Sequence, residues 1–172
     1  MKDYATIFSG GDLRSTGRAN EIVQTIKTQQ TFDELFAFLF YHDRKVAMRV
    51  ADAVEKISMT KPAFLSKHKS QLLKLLNEAE NKELKWHLAQ LIPWLSLSGQ
   101  QTQKAFKILS GWMLNTSESR IVRVNVMQAL FDLSANSQKL RNKFLELASN
   151  KEFAAIPSLK ARLKKLLFKS ST

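Results

Sequence analysis

The sequence predicts an all-α fold in which helical hairpins stack as an α-solenoid, and the main reason is a helical pattern that repeats at a fixed interval. Residues 43–57 show an amphipathic helical pattern that opens on a good N-cap, Asp43. The pattern returns twice, and the two steps along the chain are equal. The three apolar sets are Val46, Val50, Val54 and Ile57; Leu84, Leu88, Ile92 and Leu95; and Val122, Val126, Leu130 and Leu133. A helical repeat with this spacing is typical of stacked solenoids.

Composition supports the same fold class. The chain of 172 residues is 44% hydrophobic and contains only five glycines and three prolines, which favours a helical globular protein over a disordered one. This length suits one domain, so we expect residues 1–172 to form a single solenoid domain.

The first elements are predicted from caps and breaks. Residues 1–16 are expected to be irregular, with Ser9-Gly-Gly-Asp12 as a turn, and a first helix is predicted over about residues 17–29. Thr31-Phe-Asp-Glu34 has the capping-box pattern, which predicts a second helix that is apolar nearly all round. A break at Tyr41-His42 separates this helix from the one that begins after Asp43.

The later elements follow as three more hairpins. Their predicted helices cover about residues 62–77, 82–95, 101–114, 118–133, 137–148 and 157–168. Lys61-Pro62 requires a new start, and Pro93 should kink its helix or loosen the last turn. The last unit shortens the repeat interval, as a capping unit does, so that Leu130 corresponds to Leu163. The end of the chain, residues 160–172, is basic and carries Lys160, Arg162, Lys164, Lys165 and Lys169.

Charge restricts the partners without choosing among them. The chain has 27 Lys+Arg against 15 Asp+Glu, a formal net charge of +12. Such a balance attracts nucleic acid, anionic lipid or an acidic protein, and it also fits a helical protein with a lysine-rich solvent face. There is no cysteine, which excludes disulfides and thiolate sites. No signal-peptide core or membrane-length apolar run is visible in the sequence, so we expect a cytoplasmic protein.

The second helix of each hairpin, here called the B helix, resembles that of HEAT repeats. The Asp-x-x-Val opening at Asp43 to Val46 carries this resemblance, and the wider similarity is to uncharacterised bacterial HEAT-repeat proteins. It rests on Gly10-Gly-Asp-Leu-Arg-Ser-Thr-Gly-Arg18, Ala47-Met-Arg49, Ala51-Asp-Ala-Val-Glu-Lys-Ile57, Trp86-His-Leu-Ala-Gln90 and Ile121-Val-Arg123. The resemblance implies a right-handed α-α superhelix of about four hairpins plus an N-terminal helix, with B helices lining the concave surface. The position after the valine is usually basic in HEAT repeats, but in the first unit it holds Ala47.

No pattern for catalysis stands out. The sequence lacks a phosphate-binding loop, a nucleophile elbow and a zinc-protease motif. The three histidines, His42, His68 and His87, have no metal-ligand spacing. We therefore expect no catalytic residues, no metal and no cofactor.

The more informative signal is a set of cations that repeats with the helices. Arg44, Lys82 and Arg120 are separated by the same repeat interval and open successive B helices. Lys85 and Arg123 share a second position, and Arg49 and His87 share a third. These residues predict a line of positive charge, which the resemblance would place on the concave surface. The alternative for Lys85 and Arg123 is that their stems pack on the flank of the apolar stripe while their heads pair with nearby acids.

Trp94 adds an aromatic candidate. It falls on the polar side of its helix, where an exposed tryptophan could stack on a base or anchor a peptide, unless Pro93 turns it inward.

The expected function is a non-enzymatic interaction module that binds a protein or peptide along the basic B-helix surface. The candidate binding residues are Arg44, Arg49, Lys82, Lys85, His87, Arg120, Arg123 and Trp94. The charge is compatible with an acidic partner. The alternative is DNA binding through a basic groove, as the resemblance to HEAT-like DNA glycosylases would imply.

Overall fold

The computed structural model describes residues 3–10 and 18–169, apart from the side chain of Lys169. Every regular element in these described ranges is helical, and none is a strand. The chain divides into two compact units, Met1–Lys69 and Ser70–Thr172. The predicted all-α helical-repeat class is confirmed, whereas the single domain over residues 1–172 stays a prediction.

The first unit is built around one long helix. Its elements are α1 (Tyr4–Ser9), α2 (Ala19–Thr25), α3 (Gln29–Phe36), a 3-10 segment (Ala37–Phe40), α4 (Arg44–Thr60) and a second 3-10 segment (Pro62–His68). The other five all pack on α4. The Asp43 carboxylate caps α4 by accepting from the Lys45 amide at 2.7 Å. The predicted apolar stripe of α4 is buried at Val46, Val50, Ala53, Val54 and Ile57.

The expectation of an irregular N-terminus is wrong within residues 3–10. Asp3 caps α1 by accepting from the Thr6 amide at 3.2 Å, and Tyr4 and Phe8 are fully buried. These two aromatic rings are four residues apart, so a helix places both on one face. A single turn and a half is too short to show a period in the sequence. The predicted turn at residues 9–12 lies partly outside the described residues.

The start of α3 is also corrected. Thr28, not Thr31, is the N-cap: its hydroxyl accepts from the Thr31 amide at 3.2 Å, and the Thr31 hydroxyl lies 3.3 Å from the Thr28 amide in return. A threonine at the third position therefore completes the capping box in place of the predicted Glu34. The predicted second helix also divides into α3 and the 3-10 segment, and Phe40 at the end of that segment is 45% exposed.

The second unit is centred on α8. Its elements are α5 (Lys69–Glu78), α6 (Lys82–Leu91), a 3-10 segment (Ile92–Trp94), α7 (Gly99–Leu114), α8 (Arg120–Leu133), α9 (Gln138–Ala148), α10 (Glu152–Ala155) and α11 (Pro157–Lys169). Helices α6, α7, α9 and α11 pack on α8. The Ser119 hydroxyl caps α8 by accepting from the Val122 amide at 3.4 Å. Pro93 loosens the last turn of its helix into the 3-10 segment, as predicted. The short helix α10, which buries Phe153, was not predicted.

Over the part of the chain that the structure describes, no helix has the length and apolar character needed to cross a membrane.

Candidate interaction surface

Arg44, Lys82 and Arg120, here called the helix-start cations, are the first residues of α4, α6 and α8, and all three are exposed. In the second unit α6 packs directly against α8, so Lys82 and Arg120 open two adjacent helices. A cation at a helix N-terminus lies beside the positive end of the helix dipole, which costs the folded chain roughly 0.3–1 kcal/mol. An anionic group of a partner that binds at this position would be attracted both by the cation and by the positive end of the helix dipole.

Arg120 also lines a shallow depression between the starts of α8 and α11. The depression has a volume of about 490 Å³, and its other lining residues are Ile121, Val124, Pro157 and Ser158. Ile121 is 46% exposed. An exposed aliphatic side chain beside an arginine offers a partner both apolar contact and charge.

Lys85 is engaged inside the second unit. Its ammonium forms an ion pair with Glu118 in the turn before α8, and lies 5.3 Å from the centre of the Trp112 ring. The two ion-paired side chains are only 12% and 11% exposed. This arrangement matches the alternative stated for Lys85, in which the head group pairs with an acid of an adjoining turn.

Arg123 is a buried link among three helices. Its Nε donates to the Met113 carbonyl of α7 at 2.9 Å, and its Nη1 lies 2.9 Å from Glu152 Oε1 of α10. The guanidinium also lies over the Phe153 ring, 5.6 Å from its centre. Since the residue is only 2% exposed, its charge serves internal packing in this structure.

Arg49 and His87, which share the third position, are both buried. Arg49 Nη1 donates to the carbonyls of Phe8 and Gly10, and so holds the end of α1 against α4. The exposed location that the sequence predicted for this position is wrong. Periodicity identified a polar position on the helix, but in the first unit α1, which lies outside the repeat, packs over it.

Trp94 stands at the end of the 3-10 segment and is 38% exposed. Its side chain is therefore available at the surface rather than turned fully inward by Pro93. The predicted binding residues that are exposed are thus Lys82, Arg120 and Trp94 in the second unit and Arg44 in the first.

The structure also reveals a groove that the sequence reasoning missed. It lies between α7 and α9 and has a volume of about 630 Å³. Its rim carries Lys104, Lys107, Lys139 and Lys143, and its floor includes Phe106, Leu140 and Leu147. We call it the α7–α9 groove. In the sequence, Lys104 and Lys107 are three residues apart and Lys139 and Lys143 are four apart, which predicts that each pair lies on one face of its helix. Only the fold shows that the two helices lie side by side.

His68 and Asp33 form a close titratable pair in the first unit. His68 Nε2 lies 2.7 Å from Asp33 Oδ1, and the imidazole stacks on Phe36 with ring centres 3.8 Å apart. Burial raises the pKa of Asp33, but hydrogen bonds from Gln29 and His68 outweigh it and hold the pKa below its ordinary value. Among the residues of known placement, no group of three or more His, Cys, Asp and Glu side chains is arranged to hold a metal ion.

Comparison with known proteins identifies the class. The family model for the HEAT repeat domain matches residues 13–169, nearly the whole chain. The chain therefore belongs to the HEAT repeat domain family, whose repeats commonly mediate protein interactions and form scaffold-type modules. A search of curated proteins and a search of solved structures each found no match to this sequence.

Proposed function

We propose that this protein binds an acidic segment of a partner protein through Lys82 and Arg120, the helix-start cations of the second unit, with the depression beside Arg120 as the anchoring point. The observation that carries the proposal is the exposed Ile121 next to Arg120 at the start of α8. Lys82 adds a second positive charge at the start of the adjacent helix. In the first unit, Arg44 occupies the equivalent position at the start of α4.

The mixture of apolar and cationic groups favours a protein ligand. An arginine pairs with a carboxylate through two parallel hydrogen bonds, while an aliphatic or aromatic side chain of the same partner fills the depression. Such apolar anchors with a polar surround carry most of the binding energy in protein interfaces. A phosphate backbone supplies charge alone and would leave Ile121, Val124 and Pro157 without an apolar contact.

Nucleic-acid binding is the second candidate, and α11 is the observation that favours it. Lys160, Lys164 and Lys165 are exposed along this helix, in a chain with a net charge of +12. If several phosphates were neutralised, binding to random duplex DNA would weaken steeply with salt, with a slope of about −0.9 per phosphate contact. Absent or salt-insensitive binding at low salt would eliminate this candidate.

The test is affinity capture with charge-reversal variants of the full chain. We expect nuclease-treated cell extract to yield an acidic partner with the wild type that is lost with K82E/R120E. The matched control is K74E/K164E, which changes the charge equally at two exposed lysines away from the helix starts. Retention by the control and loss by the helix-start variant support the proposal. Equal capture by all three proteins, with circular dichroism showing them folded, would contradict it.

A further inference from the structure

The α7–α9 groove combines an apolar floor with a rim of one charge sign. Lys104 and Lys107 lie on one face of α7, and Lys139 and Lys143 lie on one face of α9. All four lysines are exposed, whereas Phe106 and Leu140 below them are nearly buried. Both helices pack on α8, and the exposed lysines place the rim of the groove at the surface.

The rim is electrostatically unbalanced. Within the described residues, none of the ion pairs involves Lys104, Lys107, Lys139 or Lys143. Glu146 is the one acidic residue in the lining, against four lysines. Clustered like charges around an apolar floor repel one another in the free protein, and an anionic occupant would remove that repulsion.

We propose that the α7–α9 groove binds an amphipathic acidic helix of a partner protein. The apolar stripe of such a helix would contact Phe106, Leu140 and Leu147, and its flanking glutamates and aspartates would meet the lysines on either side. A helix suits the site because a groove between two helices offers no free strand edge for an extended peptide, and helix-in-groove binding needs only side-chain contacts.

The same observations favour this occupant over two others. A nucleic acid would use the lysines but would leave the apolar floor without a partner. A second copy of this chain would bring another net charge of +12 to a basic groove, so self-association is opposed by repulsion. The groove is separate from the depression beside Arg120, which lies between α8 and α11.

The experiment is a fluorescence-anisotropy titration with a designed peptide and the full chain. The probe is a labelled helix of about 18 residues with leucines at i, i+3, i+4 and i+7 and glutamates flanking that stripe. We expect the double reversal K104E/K143E to weaken its binding at least about tenfold. Two peptide controls, one with the glutamates changed to lysine and one with the leucines changed to serine, should each bind at least about tenfold more weakly than the probe.

Two protein controls separate the groove from general charge. The variant K160E/K164E makes the same change in charge at exposed positions of α11, and K82E/R120E removes the helix-start cations of the same unit. Both should retain wild-type affinity for the peptide. Failure of the wild type to bind, or an equal loss in K160E/K164E, would overturn the proposal. A groove variant that loses affinity for duplex DNA or anionic vesicles but not for the peptide would also overturn it.

Because K82E/R120E and K104E/K143E alter different surfaces, the two proposals can fail independently. Loss of captured partner in the first variant with unchanged peptide binding supports the helix-start site alone. The reverse pattern supports the groove alone.

Discussion

Arg123 Nη1 lies 2.9 Å from Glu152 Oε1 and joins the central helix of the second unit, α8, to the short helix α10. The same guanidinium donates to the Met113 carbonyl, so one side chain links α7, α8 and α10. Arg123 occupies a position that repeats from hairpin to hairpin, yet here it is part of the interior. Different positions within the repeat thus carry different roles, since the helix-start cations are exposed whereas Arg49 and Arg123 are buried.

Replacing Arg123 should destabilise the fold. Arg123→Leu removes the guanidinium and leaves the Met113 carbonyl without this donor and Glu152 without this partner. We expect a loss of about 2–4 kcal/mol in the free energy of unfolding, because one partner of a largely buried pair is removed. Urea unfolding followed by circular dichroism measures it. A change below about 0.5 kcal/mol, the size expected for a surface substitution, would contradict the assigned role.

Replacing Arg49 should release α1 selectively. Arg49 is fully buried and donates to the Phe8 and Gly10 carbonyls at the end of α1. In Arg49→Met, which keeps the apolar stem, those carbonyls lose this donor. We expect the amides of Tyr4–Ser9 to exchange at least about tenfold faster with deuterium, while those of α8 change little. Equal acceleration across both helices would indicate general destabilisation instead.

The Lys85–Glu118 pair should show measurable coupling. Because both side chains are nearly buried, a double-mutant cycle with Lys85→Met and Glu118→Gln should give about 1 kcal/mol or more. The control is Arg18–Glu21, an ion pair at 2.8 Å whose side chains are each 64% exposed. Its cycle should give about 0–0.5 kcal/mol, since solvent screens it. Equal coupling in the two pairs would contradict the view that burial sets the strength.

Acid should remove the contribution of Asp33. Its pKa is lower in the folded protein than in the unfolded chain, because hydrogen bonds from Gln29 and His68 outweigh the opposing effect of burial. The stabilisation is therefore present above the unfolded-chain value and is lost as pH falls through the folded value. The difference in unfolding free energy between wild type and Asp33→Asn should be larger at about pH 5 than at about pH 2.5.

The matched variant for this pH experiment is Gln29→Leu. The Gln29 amide donates to Asp33 Oδ1 at 2.6 Å and to the Phe64 carbonyl at 3.1 Å. Without this donor the pKa of Asp33 should rise, so the acid-induced loss should begin at a higher pH than in the wild type. A pH-independent difference between wild type and Asp33→Asn would show that the carboxylate charge does not contribute.

Local signals predicted much of the fold. Asp43 capped the helix it was expected to cap, the apolar stripe from Val46 to Ile57 is buried, and Pro93 ends its helix in a 3-10 turn. The cap and the proline break depend on backbone hydrogen bonds within a few residues, and the apolar stripe lies on one face of a single helix. All three can therefore be recognised from local sequence. The helix α1 escaped prediction because two aromatic residues in six do not establish a period.

The candidate site was less predictable because a repeat shows which positions are equivalent but not which of them other helices cover. Arg44 is exposed and Arg49 is buried on the same helix, since α1 packs over Arg49. The partner of Lys85 is far along the chain, at Glu118. The α7–α9 groove requires two helices to be placed side by side, and no local pattern specifies that placement.

The most direct test of the proposed function is site-specific photocrosslinking at Ile121. The control position is Phe40, which has almost the same exposure, 45% against 46%, but lies in the 3-10 segment after α3. With a benzophenone amino acid at each position, we predict nuclease-resistant adducts to an acidic protein at position 121 and none at position 40. Nuclease-sensitive adducts, or the same adducts at both positions, would contradict the binding of a protein partner beside Arg120.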